Sequence, residues 1–189
     1  FGRGHRFGNS GVWDKIAGGW TVSSILRWQS GRVFSLTGGR YTYNNFTDAG
    51  VVLQPGVSIR QLQSLIMTSP GPNKDVYFID PSAIGPDGRL SRDLVDVPTT
   101  PGQFGQFVYL HGPGFIQPDV AILKRIPLRE KMNLEFWAEF LNAFNHPNFS
   151  VGGMSSAVNS TWIDSTNFGR SAASANDPRN IQFRLKLTF

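Results

Sequence analysis

Two carboxylates are the first candidates for chemistry in this sequence. Glu135 and Glu139 lie four residues apart in a segment where apolar and polar residues alternate, and paired carboxylates can act as general acid and base. In a strand, four residues cover about 13 Å, whereas the paired carboxylates of glycosidases are about 5–9.5 Å apart. We therefore predict a structural role for both glutamates, close to Gln182, Arg184 or Lys186.

The histidines do not form a recognisable site either. His5, His111 and His146 are scattered, without the spacing of paired metal ligands, and the chain contains no cysteine. The segment 111–114 (His-Gly-Pro-Gly) is similar to an oxyanion-hole loop, but no Gly-x-Ser-x-Gly nucleophile elbow accompanies it. We predict that the chain is not an enzyme, with no catalytic residues, no bound metal and no cofactor.

The composition indicates strands joined by long irregular loops. Only 16% of the residues are charged, aromatic residues reach 13%, and there are 21 glycines and 12 prolines, whereas about a quarter of an average soluble domain is charged. The net charge of +5 is spread along the chain without a basic cluster, so a nucleic-acid partner is not expected.

The last residues carry the clearest pattern. In segment 180–189, five apolar residues alternate with polar ones: Ile181, Phe183, Leu185, Leu187 and Phe189. A strand with this pattern has one apolar and one cationic face, and its length matches the roughly 9–11 residues of a transmembrane β-strand. Its aromatic end resembles the signal that outer-membrane barrels present to the barrel-assembly machinery, here Phe183, Leu185, Leu187 and Phe189.

Three further strands are predicted at about 20–29, 118–126 and 132–142. Long loops at 30–114 and 143–179 and a short turn at 127–131 connect them, and a short helix is predicted around 59–68. Residues 1–19 are expected to hold the tail of an earlier strand. In outer-membrane barrels the extracellular loops are long and the periplasmic turns short, so the order long, short, long favours a barrel whose C-terminus is periplasmic.

Alternation also assigns the two faces of these strands. Trp20 and Trp28 are eight residues apart, about 19 Å along the membrane normal at a tilt of ~45°, as for two interfacial girdles. The predicted lipid-facing or girdle residues are Trp20, Trp28, Phe136, Phe140 and Phe183. The predicted lumen-facing residues are Arg27, Glu135, Glu139, Arg184 and Lys186. If Met132 lies near Phe189, Trp137 stacks on Arg184.

Several motifs together resemble the last strands of TonB-dependent outer-membrane receptors, most closely the Oar-like branch with its carboxypeptidase-regulatory-like domain. In chain order they are Gly19-Trp20, 29–31 (Gln-Ser-Gly), Phe104-Gly105, 112–115 (Gly-Pro-Gly-Phe) with Asp119, 139–149 (Glu-Phe-Leu-Asn-Ala-Phe-Asn-His-Pro-Asn-Phe), Phe168-Gly169, 178–182 (Pro-Arg-Asn-Ile-Gln) and Phe189. The family often has arginine where this chain has His111 and Trp137. These two departures bear on the subfamily more than on the fold.

The resemblance implies that residues 1–189 are the C-terminal part of a barrel of about 22 strands, cut from a longer precursor. The chain would form part of the wall and the external loops of an active importer in the outer membrane of a Gram-negative type bacterium. Its partners would be lipid, the barrel-assembly machinery, the plug domain, TonB and an unknown ligand. Because backbone hydrogen bonding in lipid requires closure, these strands alone are expected to form an open, curved sheet.

Two other interpretations are compatible with the sequence. One is a soluble, secreted β-sandwich that binds carbohydrate through exposed aromatic residues, in which apolar faces would meet across a core. The other is a passive, porin-like pore. The transported substrate does not follow from the sequence.

Overall fold

Ten strands, one α-helix and one 3₁₀ helix are the regular elements whose full extent lies within the described residues. The computed structural model describes residues 16–71, 75–129, 132–151, 160–171 and 173–189. In chain order the elements are β1 (Trp20–Gln29), β2 (Val33–Leu36), β3 (Val52–Leu53), α1 (Ile59–Ser64), β4 (Ser69–Pro70), β5 (Val76–Tyr77), a 3₁₀ helix (Pro81–Ala83), β6 (Val95–Asp96), β7 (Val108–His111), β8 (Phe115–Arg129), β9 (Met132–Leu141) and β10 (Asn180–Thr188). His5 and most of the strand tail expected in 1–19 lie outside the described residues.

The four long strands pair into one antiparallel sheet in the order β1-β8-β9-β10. Its register places Leu185 opposite Phe136, and Phe136 opposite Lys124. Every residue of the edge strands β1 and β10 is exposed, and within the described residues the sheet does not close. This is the all-β, open sheet expected for a few strands of a barrel.

One strand is longer than its sequence suggests. β8 runs from Phe115 to Arg129, beyond the predicted 118–126, and includes residues that were expected to form a turn. Proline cannot donate a hydrogen bond to a sheet, and it is tolerated in strands at bulges. Pro127 lies at such an irregularity, because the register shifts between Pro127 and Arg129. The rest of the predicted turn, residues 130–131, lies outside the described residues.

The chain divides into two compact units. The sheet unit comprises residues 16–28, 116–146 and 177–189 among those described, and the loop unit comprises 29–115 and 147–176. The loop unit holds the three short strand pairs β2–β7, β3–β6 and β4–β5. Among the described residues, no helix is long and apolar enough to cross a membrane.

The loop unit has an apolar core of its own, although the sequence predicted mostly irregular structure there. Its largest fully buried side chains are Phe78, Phe168, Leu36, Leu62, Leu90, Leu110, Ile163, Val51, Val95 and Val108. The predicted helix is present but ends at Ser64, and its N-cap Ser58 accepts a hydrogen bond from the Gln61 backbone at 3.2 Å.

Close backbone contacts explain why glycine is frequent in this unit. A Cβ atom on Gly31 would lie 1.7 Å from the Gly112 carbonyl oxygen, and one on Gly105 would lie 2.7 Å from that of Val51. Gly105 also has a φ of +79°, which is unfavourable for residues with a side chain.

Candidate functional site

One face of the sheet unit carries a row of charged side chains across three strands. The Arg125 Nε donates to Glu135 Oε1 at 2.8 Å, and the register places Lys186 directly opposite Glu135. One carboxylate therefore lies between cations from β8 and β10. Glu135 and Lys186 were both predicted to share this face. Arg125 was not selected from the sequence, because it follows Lys124 directly and alternation alone does not tell which of the two lies on the polar face.

The next position along the same face is a cation–π pair. The Arg184 guanidinium carbon lies 4.4 Å from the centre of the Trp137 ring, and the two residues are register partners. Asn133 lies opposite Thr188, which is the register that the predicted pairing of Met132 with Phe189 requires. The predicted contact between Trp137 and Arg184 is confirmed.

Glu139 continues this face. Its register partners are Ala121 on β8 and Gln182 on β10, and it forms no salt bridge with a described residue. A cavity of about 250 Å³ opens beside it, lined also by Ser23, Ile25 and Leu141. The face thus presents one carboxylate that the described part of the sheet leaves without a cation.

Asp119 joins the strands at the other end of this face. It accepts hydrogen bonds from the Asn142 backbone at 2.8 Å and from Gln117 Nε2 at 3.0 Å, and its second oxygen lies 3.6 Å from Arg27 Nη2. The Asn142 amide group in turn donates to the Asp177 carbonyl oxygen at 3.1 Å. Arg27 is therefore on the predicted polar face, and Asp119 is an additional residue whose only sequence signal was its place in a family motif.

The opposite face is apolar and largely uncovered. Trp20, Trp28, Phe136 and Phe183 are 52%, 82%, 37% and 68% exposed, and Phe140 is partly buried. The Phe136 and Phe183 rings stack at 5.9 Å between centroids. Apolar surface of this extent is unfavourable in water and marks contact with a membrane or another protein.

Lys124 is the exception on this apolar face. It lies opposite Phe136 but is only 6% exposed. Its ammonium group donates to the carbonyl oxygens of Ile16, at 3.0 Å, and of Gly18, and it lies 5.0 Å from the centre of the Trp20 ring. Backbone carbonyl groups in the segment 16–18 and the Trp20 indole therefore surround the charge.

The described residues do not form a catalytic or metal-binding cluster. No three side chains of histidine, aspartate or glutamate among them lie close enough to hold a metal ion. The His111 imidazole lies 3.4 Å from the Gly31 carbonyl oxygen, and the His146 backbone donates to the Asn142 side chain at 2.9 Å. Both histidines thus take part in local loop contacts.

Comparison with known proteins gives one finding. The family model described as an outer membrane beta barrel domain matches residues 1–182, nearly the whole chain. Neither the curated proteins nor the solved structures include a match.

Proposed function

The chain belongs to the outer membrane beta barrel domain family, and its sheet forms part of a barrel wall in the outer membrane. We propose that this barrel is a TonB-dependent receptor of the Oar-like branch. The chain would supply part of the wall and two long external loops of an active importer for a large or scarce nutrient. The whole receptor would contain a plug domain inside the barrel and a segment that contacts TonB.

The observation that carries this proposal is the division of the sheet into a charged face and an apolar face. Charged side chains are costly in lipid, so the face with Glu135, Arg184 and Lys186 is assigned to the lumen. In barrels of about 22 strands a plug fills the lumen, and a charged wall suits a polar plug. The family motifs around Asp119 and in segment 139–149 support the same branch.

Partners follow from the same assignment. Trp20, Trp28, Phe136, Phe140 and Phe183 would contact lipid, and the strand that ends at Phe189 would be recognised by the barrel-assembly machinery. The lumen face would contact the plug domain, and the chain would act without catalysis, cofactor or nucleic acid. The alternative of a soluble sandwich finds no support among the described residues, since both edge strands are exposed on both faces.

Two adjacent residues test the assignment of the faces. Residues 1–189 contain no cysteine, so Phe183→Cys and Arg184→Cys each introduce one thiol into this part of the protein, on opposite faces of one strand. In outer-membrane vesicles, a lipid-soluble maleimide should label Phe183→Cys, and only a small water-soluble maleimide should reach Arg184→Cys. The reverse labelling pattern would show that the faces are assigned wrongly.

A conductance measurement separates the importer from a passive pore. The complete gene product should give no steady current in a planar lipid bilayer until urea displaces the plug, and it should bind the periplasmic domain of TonB in a pull-down. A steady open current without urea, together with no TonB binding, would favour the porin-like alternative.

A further inference from the structure

Four aromatic rings follow one another on the surface of the loop unit. The centroid of Tyr43 is 6.1 Å from that of Phe104, Phe104 is 5.1 Å from Phe107, and Phe107 is 6.2 Å from Tyr109. Tyr43, Phe107 and Tyr109 are 64%, 51% and 60% exposed, and Phe104 is partly buried. We call these four residues the aromatic strip.

The backbone beneath the aromatic strip is fixed by several hydrogen bonds. Gln106 and Val51 exchange backbone bonds of 2.8 and 2.9 Å, and the Thr42 hydroxyl donates to the Gln103 carbonyl oxygen at 2.6 Å. In β7, Val108 and Leu110 point into the core, which directs Tyr109 outward. The backbone positions from which the rings project are therefore fixed before any ligand arrives, and this lowers the entropy cost of binding.

The two segments that carry the strip are polar but uncharged. Segments 41–47 and 98–110 contain no charged residue, and they carry neutral amide and hydroxyl groups at Thr42, Asn44, Asn45, Thr47, Thr99, Thr100, Gln103 and Gln106. A matching ligand is uncharged, has flat apolar faces for the rings, and has hydroxyl groups for the neutral polar side chains. Aromatic faces also attract cations, but no carboxylate in these two segments would pair with one.

The exposed area favours a small ligand over a protein. An aromatic side chain can bury about 150–250 Å², so four rings that are about half exposed offer about 400 Å². One side of a standard protein interface buries about 800 Å². Arginine, which is enriched at protein interfaces, does not occur in either segment.

We propose that the aromatic strip binds a neutral oligosaccharide, whose pyranose rings stack on Phe107 and Tyr109 and whose hydroxyl groups bond to the neighbouring amides. This inference holds whether the barrel is an importer or a passive pore, because it concerns the loop unit alone.

The test uses the complete gene product, purified in detergent, on an array of neutral glucans, mannans and xylans with sulfated and uronic-acid glycans as comparators. We expect binding to at least one neutral glycan, and a loss of affinity of at least tenfold in Phe107→Ala and in Tyr109→Ala. Phe46→Ala is the matched control, since Phe46 is 94% exposed in the same unit but is not part of the strip, and it should bind like the unchanged protein. Binding to acidic glycans only, no binding to any glycan, or equal affinity in all variants would overturn the proposal.

A second measurement asks whether another part of the protein covers the strip. Tetranitromethane should nitrate Tyr43 and Tyr109 in outer-membrane vesicles, and a neutral glycan that binds on the array should protect both. Nitration of these tyrosines only after unfolding in urea would mean that upstream loops occupy the strip, and the proposal would fail.

Discussion

The core of the loop unit can be tested by removing one ring, in the variant Phe78→Ala. Phe78 is fully buried, and its ring makes edge-to-face contacts with Phe34 at 5.3 Å and with Phe168 at 6.4 Å. These contacts connect residues that lie 44 and 90 positions apart in the sequence. If the external loops fold around this core, they should open as a unit when the ring is removed.

The expected cost is large. A ring that buries about 150 Å² contributes about 4 kcal/mol at about 25 cal/mol per Å², and measured Phe→Ala changes in cores cost about 3–5 kcal/mol. Each aromatic pair contributes about 0.5–1.5 kcal/mol beyond its buried area. A loss of about 4 kcal/mol raises the population of the open form about a thousandfold, since each 1.4 kcal/mol is a factor of about ten.

The assay is cleavage of the loop unit by thermolysin in outer-membrane vesicles. When opening and closing are faster than cleavage, the rate of proteolysis follows the population of the open form. Phe78→Ala should therefore be cut within residues 29–115 two to three orders of magnitude faster than the unchanged protein. The sheet should stay folded, which is seen as an unchanged shift between heated and unheated samples on gels.

Phe46→Ala is the matched control, because Phe46 lies in the same unit but is 94% exposed. It should be cleaved at nearly the rate of the unchanged protein. If Phe78→Ala is also cleaved at that rate, the buried residues do not hold the loop unit together, and our interpretation of its core is wrong.

Three further predictions concern single residues. Burial raises the pKa of Asp48, whose Oδ1 is buried without a hydrogen-bond partner among the described residues, so protonation favours the folded loop unit and its stability falls as the pH rises through this pKa. Asp48→Asn should remove this loss, and the urea midpoint of the loop unit should exceed that of the unchanged protein at pH 7 but match it below about pH 4. Lys124→Met should lower the free energy of unfolding in lipid vesicles by about 1–3 kcal/mol, because the buried carbonyl group of Gly18 loses its donor; an unchanged urea midpoint would contradict this. Phe189 is 92% exposed, so Phe189→Ala should leave the stability of the refolded barrel unchanged. It should nevertheless reduce the amount of the protein in the outer membrane. An unchanged amount would show that the assembly machinery does not recognise the aromatic end.

Local periodicity was sufficient to locate the sheet. β1, β9 and β10 lie within one residue of their predicted bounds. One face of β9 and of β10 is apolar over its full length, and that of β1 is interrupted only by Ser24, so a period of two is visible in the sequence alone. β8 was placed less well, since a proline inside a strand normally indicates its end. Pro127 is accommodated by a register shift in the pairing of β8 with β9. The sequence of β8 alone does not predict this shift, because it depends on the partner strand.

The loop unit was not predictable in the same way. Its strands have two to four residues, too few for a period to show, and their partners are distant: Leu36 pairs with Val108, and Leu53 with Val95. The charged contacts of this unit are equally non-local. The Asp164 carboxylate bonds to Arg40 and Arg92 and lies 3.4 Å from Arg89 Nε, which links the second long loop to three places in the first.

The two units place their apolar residues oppositely. In the loop unit the large apolar side chains such as Phe78 and Phe168 are inside, as expected for a fold formed in water. In the sheet unit Phe183, Leu185 and Trp28 are outside, which is stable only if the surrounding medium is itself apolar. Apolar and polar residues alternate in the same way in a strand of a soluble protein and in a strand of a membrane barrel. The alternation shows that the two faces of a strand differ, but it does not show whether water or lipid surrounds each face. Our assignment of the faces rests on the cationic side: β10 carries Arg184 and Lys186 opposite Trp137 and Glu135, and because charged side chains are costly in lipid, we propose that the apolar side is the one that meets lipid.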